Sequence, residues 1–301
     1  MTYPTAFITN TKGIINSDTS YFTEALSINT SGQVAGYFQA HSHRIGAIGP
    51  YAVLVTKNKV KNLDTLGSQY SFAYDVNDKG EVTGYRAVKT GGDRAFVVTS
   101  KGVMKDLPSD TGVSATYAYA INNKSQVAGY ASTHVGDRAF VTLNGAMKYL
   151  GVLGGFYSKA YGLNDKGQVV GLSDVAYNSP YTHAFVTVNG VMKDLGALRA
   201  KDSSTALGIN SQGQIVGYSS SDTKSIGNIT GWSSAWMSVA DRAFVTIKGK
   251  MTDLNSLIDP RIKWTLARAN AINDQGQITG VGINPKGVRT AFLLSPIKQR
   301  W

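Results

Sequence analysis

One slot in this chain gathers the residues best suited to hold an anion. Arg94, Arg138, His183 and Arg242 each stand immediately before an Ala-Phe pair, and Tyr51 and Thr290 occupy the same place in looser copies. If the copies stack at equal height, the slot forms a mostly cationic collar suited to carboxylate or sulfate groups. Asp93, Asp137 and Asp241 precede the three arginines, so a second reading has each Arg bridge to an Asp on the adjoining copy. Two further clusters depart from the repeated pattern. His41, His43 and Arg44 fall in "QAHSHRIGAIGPY", where His-x-His can chelate from one strand. Two ligands are too few for a metal site, and His43 acting as a base with a Tyr, or plain solvated loop residues, are the other readings. Trp232 and Trp236 lie four apart in "SSSDTKSIGNITGWSSAWMSVAD", where one helical turn would offer flat faces to sugar rings. The alternative is a lid that tucks its own Trp between modules.

These residues are placed by two hairpins that take turns along the chain. The first runs "ALSINTSGQVAGY", "AYDVNDKGEVTGY", "AYAINNKSQVAGY", "AYGLNDKGQVVGL", "ALGINSQGQIVGY" and "ANAINDQGQITGV". Asn opens each turn and can bond its own backbone two residues on, and Gly closes all but one with positive φ. Ser125 replaces that Gly in the third copy, which predicts a slightly distorted turn. The second hairpin appears as "GDRAFVVTSKGVMKDL", "GDRAFVTLNGAMKYLG", "THAFVTVNGVMKDLG" and "ADRAFVTIKGKMTDL", with Asn144-Gly145 and Asn189-Gly190 as two-residue turn signals.

Successive turn asparagines (29, 77, 122, 164, 210, 273) lie 48, 45, 42, 46 and 63 positions apart. A period near 45 holding four short strands is the measure of a propeller blade, whose sheet must stack on its neighbours. The expected fold is all-β: one domain over 1–301, a six-bladed β-propeller with residues 219–241 as an inserted loop. Five or seven blades and an open solenoid stay open. The half-repeat Ala6 to Ser17 and the last strand, Ala291 to Ser295, are left over, and terminal strand pairing is expected to close the ring. Phe7, Val53, Phe96, Phe140, Phe185, Phe244 and Phe292 in the repeated slot, and Leu107, Leu150, Leu195 and Leu254 ending the return strand, read as core.

Composition narrows the partners. The chain of 301 residues has no Cys, so it holds no disulfide and no thiolate nucleophile. Thirty Lys and Arg against 19 Asp and Glu give a net charge of +11, which favours anionic partners. No apolar run reaches the roughly 18 residues of a membrane span. Nucleic acid is disfavoured because no contiguous basic run appears. No cofactor motif and no metal site are expected. The acids at Asp78, Asp165 and Asp274 in turns, and at Asp64, Asp106, Asp194 and Asp253 before Leu, read as structural, and no spacing selects a catalytic pair.

The units Ile-Asn-x-x-Gly-Gln-Val-x-Gly-Tyr, His-Ala-Phe and Met-x-Asp-Leu-Gly resemble the bacterial HAF repeat family. Only Thr182-His183-Ala184-Phe185 keeps the naming His. The resemblance implies an extracellular or cell-envelope location and no particular activity. The leading expectation is a non-catalytic binding or adhesion protein for an acidic polysaccharide or another anionic surface. A polysaccharide lyase or glycosidase, using Arg with His or Tyr, is the alternative, and a protein-interaction scaffold is the third.

Overall fold

The computed structural model describes residues 8–10, 13–15, 21–42, 46–57, 59–89, 91–221 and 240–297. Among these the chain is all β, apart from two 3-10 turns at Leu254–Ser256 and Pro260–Ile262. The chain gathers into two compact units, residues 1–135 with 140–148, and residues 136–139 with 149–301.

The first unit holds a small hairpin, β1 (Ile8–Asn10) and β2 (Gly13–Ile15), and two complete antiparallel sheets. These are β3 (Tyr21–Ile28), β4 (Val34–Ser42), β5 (Gly46–Thr56) and β6 (Lys59–Asn62), then β7 (Ser71–Val76), β8 (Val82–Arg86), β9 (Arg94–Val98) and β10 (Met104–Asp106). A third sheet begins there with β11 (Val113–Ile121) and β12 (Val127–Thr133) and continues in β13 (Gly136–Leu143) and β14 (Ala146–Tyr149). The second unit carries β15 (Ser158–Leu163), β16 (Val169–Asp174), β17 (Thr182–Val188) and β18 (Val191–Asp194). Next come β19 (Ser203–Ile209), β20 (Ile215–Ser220), β21 (Arg242–Ile247) and β22 (Lys250–Asp253). Its last sheet is β23 (Thr265–Ile272), β24 (Ile278–Ile283) and β25 (Arg289–Leu294). In each of the six sheets the strands lie side by side in chain order, the arrangement of a propeller blade. The Asn hairpin supplies the first two strands of each sheet, and the Ala-Phe hairpin supplies the rest.

The Asn turn forms as its chemistry requires. Asn77 Oδ1 accepts from the N–H of Lys79 at 3.1 Å and of Glu81 at 2.9 Å, and Gly80 N–H returns to the Asn77 carbonyl at 3.0 Å. Ser125 adopts φ 61° and keeps the equivalent bond to the Asn122 carbonyl at 2.9 Å, so the left-handed residue there costs strain without losing the turn. Asn144 and Asn189, both at φ 52°, lead into positive-φ Gly145 and Gly190, the signature of the two-residue hairpin.

A bulge recurs in the first strand of every sheet, at Ala25/Ser27, Ala73/Asp75, Ala118/Ala120, Ala160/Gly162, Ala206/Gly208 and Ala269/Ala271. Opposite each bulge stands the Gly of the Val-x-Gly-Tyr segment. A Cβ on Gly84 would lie 1.8 Å from the Phe72 carbonyl oxygen, and one on Gly217 would lie 1.9 Å from that of Thr205. Glycine is there because the bulged backbone occupies the place of a side chain.

Stacking buries the faces that single sheets leave open. In the first unit Ala35, Ala52, Leu63, Ala73, Val82 and Phe96 join one core; in the second, Val170, Ala184, Ala206, Ile215 and Phe244 join another. Val53, Phe96, Phe140, Phe185, Phe244 and Leu254 are buried, as their repeated slots imply; Phe292, Leu107, Leu150 and Leu195, nearer the sheet edges, are half-buried, and Phe7 lies outside the described residues. Polar clamps fix the stacking register. Ser71, Thr116, Ser158 and Ser204 hydroxyls accept from the N–H of Ala52, Ala95, Ala139 and Ala184 at 2.8–3.0 Å, each on the preceding sheet.

The turn asparagine is a clamp as well. Asn29 Nδ2 donates to the Asn77 carbonyl (2.9 Å) and Asn77 Nδ2 to that of Asn122 (3.0 Å). In the second unit Asn164 donates to Asn210 (3.0 Å) and Asn210 to Asn273 (3.2 Å). Asn210→Ala therefore removes a buried cap and an inter-sheet bond together, and is expected to lower the unfolding free energy by about 2–3 kcal/mol. Urea titration beside Gln212→Ala, an exposed neighbour expected to stay within about 0.5 kcal/mol, checks this.

Candidate functional site

The three arginines of the repeated slot share one mode of fixation. Arg94, at the start of β9, donates through Nη1 to the carbonyls of Gly92, Asp93 and Ser114 at 3.3, 3.1 and 3.0 Å. Arg138 on β13 uses Nη1 for the carbonyls of Asp137 (3.1 Å) and Phe156. Arg242 on β21 donates Nη1 to the Asp241 carbonyl at 3.0 Å. The neighbouring carboxylates turn elsewhere. Asp93 accepts from the Tyr70 hydroxyl at 2.7 Å, Asp137 pairs with Lys159 at 3.1 Å, and Asp241 pairs with Arg268 at 2.8 Å. At Asp137 and Asp241 the bridges between sheets are thus made by the Asp residues, and at Arg94 and Arg138 main-chain carbonyls stand where an Asp of the adjoining copy was expected. The reason is geometric: the slot before Ala-Phe reaches main-chain carbonyls, and the slot before that reaches the first strand of the next sheet at Asp137 and Asp241, and the Tyr70 hydroxyl beside its own sheet at Asp93. For Arg94 and Arg138, Nε and Nη2 make no hydrogen bond to the described residues, which leaves the edge that grips a carboxylate in a fork.

His183 takes the slot on β17 differently, with Nδ1 3.0 and 3.1 Å from the two Asp194 oxygens. Tyr51 packs beside Phe38, ring centroids 6.1 Å apart, and Thr290 Oγ1 accepts from Asn284 at 3.2 Å. Trp232, Trp236, His43 and Arg44 lie outside the described residues, and of His41 only the backbone, in β4, is described. Among the described residues no three His, Asp or Glu side chains are placed to hold a metal ion. Acids next to the return-strand Leu serve turns: Asp64, which follows Leu63, accepts from Leu66 and Ser68 N–H, Asp194 from Gly196, and Asp253 from Asn255. Asp106 instead holds Arg86 in a two-point pair at 2.7 and 2.6 Å.

Two aromatic features escaped the sequence reading. In the first unit Tyr37, Phe72, Tyr74, Tyr85, Tyr117, Tyr119 and Tyr130 pack ring to ring, with neighbouring centroids 4.7–6.4 Å apart. Two hydroxyls in this region donate to carboxylates, Tyr37 to Glu24 and Tyr70 to Asp93. Burial, followed by these carboxylates, pushes Tyr70 up to about 12 and Tyr37 higher; Tyr85 and Tyr117 are raised too, with burial again the first cause. A tyrosine base needs the opposite shift, so these four hydroxyls stay protonated at neutral pH.

The second feature is in the second unit. Phe156, Tyr157 and Tyr177 are exposed to 44%, 49% and 66%, and the Phe156 and Tyr177 rings meet edge to face at 5.1 Å. Asp174 fixes this corner, its Oδ2 accepting from the N–H of Phe156 at 3.1 Å and of Tyr157 at 3.0 Å. "LGGFY" (153–157) and "DVAYN" (174–178) both depart from the repeats, which is the signal that could have marked them.

Residues 5–140 match a protein family described as "Protein of unknown function (DUF3466)". No curated protein matches the chain. Among solved structures, the β-propeller domain of the Trilobed protease from Pyrococcus furiosus, described as having an open velcro topology, is similar at a TM-score of 0.54 and 10% identity, over 91% of this chain and 81% of that one. A mutant of AofleA from Arthrobotrys oligospora aligns at a TM-score of 0.39 and 12% identity, over 77% of this chain and 70% of that one. The chain has a β-propeller fold. Its blades are the six antiparallel sheets.

The tyrosine cluster makes a signed pH prediction. A hydroxyl whose pKa is raised by folding contributes stability that is complete below the unfolded value near 10 and is lost as pH climbs through the folded one, about 12 for Tyr70. Denaturation midpoints should therefore fall steeply between pH 10 and 12, and Tyr70→Phe should shallow that fall. A midpoint that is level across this range would contradict the assignment.

Proposed function

We propose that this propeller is a non-catalytic binding or adhesion protein that engages an anionic ligand, an acidic polysaccharide or cell-surface glycan. The observation that supports it is the state of Arg94 and Arg138. Each guanidinium is pinned to main-chain carbonyls through Nη1 alone, and each adjacent Asp is engaged with another residue. A pre-positioned guanidinium edge binds carboxylate or sulfate with little ordering cost. The net charge of +11 draws such ligands in. The HAF-type repeats extend the reading to the cell exterior or envelope.

The propeller is completed, in this reading, by terminal strand pairing. The sheet β23–β25 has three described strands where the five other blades have four. Removing the half-repeat Ala6 to Ser17 should lower the melting temperature, and an unchanged melting temperature would reject the closure.

Retention on immobilised polygalacturonate and heparin, measured through a salt gradient, tests the function. Binding should weaken with salt, and replacing Arg94, Arg138 and Arg242 together by Gln should shift elution to lower salt. Salt-independent retention, or elution unmoved by the triple change, would refute the arginine role. Rising absorbance near ~235 nm on incubation would show unsaturated products and overturn the non-catalytic reading.

A further inference from the structure

We propose that the Phe156, Tyr157 and Tyr177 corner, with Arg138, is a preformed subsite for a uronate residue of an acidic polysaccharide. The inference rests on the anionic-glycan reading and gives it a place. Three observations converge on it.

The platform is built rather than accidental. Asp174 Oδ2 holds the amides of Phe156 and Tyr157, Gly154 N–H donates to the Asp174 carbonyl at 3.1 Å, and Leu153 N–H to Ser173 Oγ at 2.9 Å. The connection preceding β15 is thereby locked to the end of β16, so the rings are held in place before any ligand arrives. Three large aromatic side chains nonetheless keep 44–66% of their surface in water. The Phe156 and Tyr177 planes meet at 72°, which offers a ring face and an edge to the C–H surface of a sugar.

The charge is beside the rings. A Cβ on Gly136 would sit 3.3 Å from both Arg138 Nη1 and Tyr157 Cε1, and 2.7 Å from the Phe156 carbonyl oxygen. Guanidinium, phenol ring and platform backbone therefore converge on one glycine, which at φ 118° favours no side chain. Phe156 anchors Arg138 through its carbonyl, so the residue that supplies a stacking face also orients the cation. The nearby Lys159 is neutralised by Asp137, which leaves Arg138 as the charge for a carboxylate.

The surface suits a sugar better than a peptide strand. Its rings lie on two connections, 150–157 and 175–181, and not on an open strand edge of the kind that captures an extended peptide.

The test titrates the full chain with trigalacturonate, with its neutral counterpart galactotriose and with oligoglutamate, by calorimetry. Trigalacturonate should bind, and galactotriose should bind about tenfold more weakly. Tyr177→Ala and Phe156→Ala should each weaken trigalacturonate by about tenfold. Arg138→Lys keeps a donor for the Phe156 carbonyl but loses the forked edge, and should erase the preference over galactotriose; circular dichroism confirms that each variant is folded. If trigalacturonate binds and all three changes leave its affinity within about twofold, the subsite is wrong while the anionic-glycan reading stands. If no acidic oligosaccharide binds, both fall. Oligoglutamate binding with equal strength and the same residue dependence would overturn the sugar assignment.

Discussion

A single side-chain amide, repeated, holds this molecule in register. The turn asparagine has one acceptor and two donors, and each is used: Oδ1 closes its own hairpin, one Nδ2 hydrogen bonds the side chain four residues on, and the other bonds the main-chain carbonyl of the next turn asparagine. Asn77, Asn122, Asn164 and Asn210 are all at most 5% exposed, where an unbonded amide would be costly. Aspartate lacks the donors, and serine is too short to cap and bridge at once. The residue type is thus dictated twice, once within the sheet and once between sheets, and spacing errors in either are penalised.

Around that clamp the contacts between sheets are written as exchangeable pairs. The slot two before Ala-Phe meets the first strand of the next sheet, as Asp137 with Lys159 and Asp241 with Arg268. Arg268 also lies over the Tyr218 ring at 4.3 Å, so the buried pair is covered by an aromatic face. One Asp241 oxygen, Oδ1, is buried with no hydrogen bond to the described residues, so the charge of Arg268 offsets the burial of the carboxylate. Where Asp137 and Asp241 bridge the sheets, the adjacent arginines turn to main-chain carbonyls, and at Arg94 and Arg138 Nε and Nη2 make no hydrogen bond to the described residues.

Much of the candidate site was visible as a slot but not as a geometry. That Arg94, Arg138, His183 and Arg242 are equivalent comes from counting; that His183 faces Asp194 while the arginines face carbonyls does not. The tyrosine cluster joins rings from three sheets, and the Phe156–Tyr177 corner joins two connections, so neither has a local spacing to betray it. The mark that "LGGFY" leaves in the sequence is its departure from the repeat.

The sequence by itself determined the strand count per module, the turn types, the buried phenylalanines and the number of modules, because all of these depend on contacts within about 45 residues that recur six times and so can be averaged. The Gly opposite each bulge was equally recurrent, yet its cause, a carbonyl about 2 Å from a would-be Cβ, is a backbone approach that no composition shows. Only the tertiary structure decided which carboxylate meets which cation, and which aromatic faces remain in water. Those outcomes depend on side chains brought together by stacking, where a single ångström separates a salt bridge from two groups that do not bond.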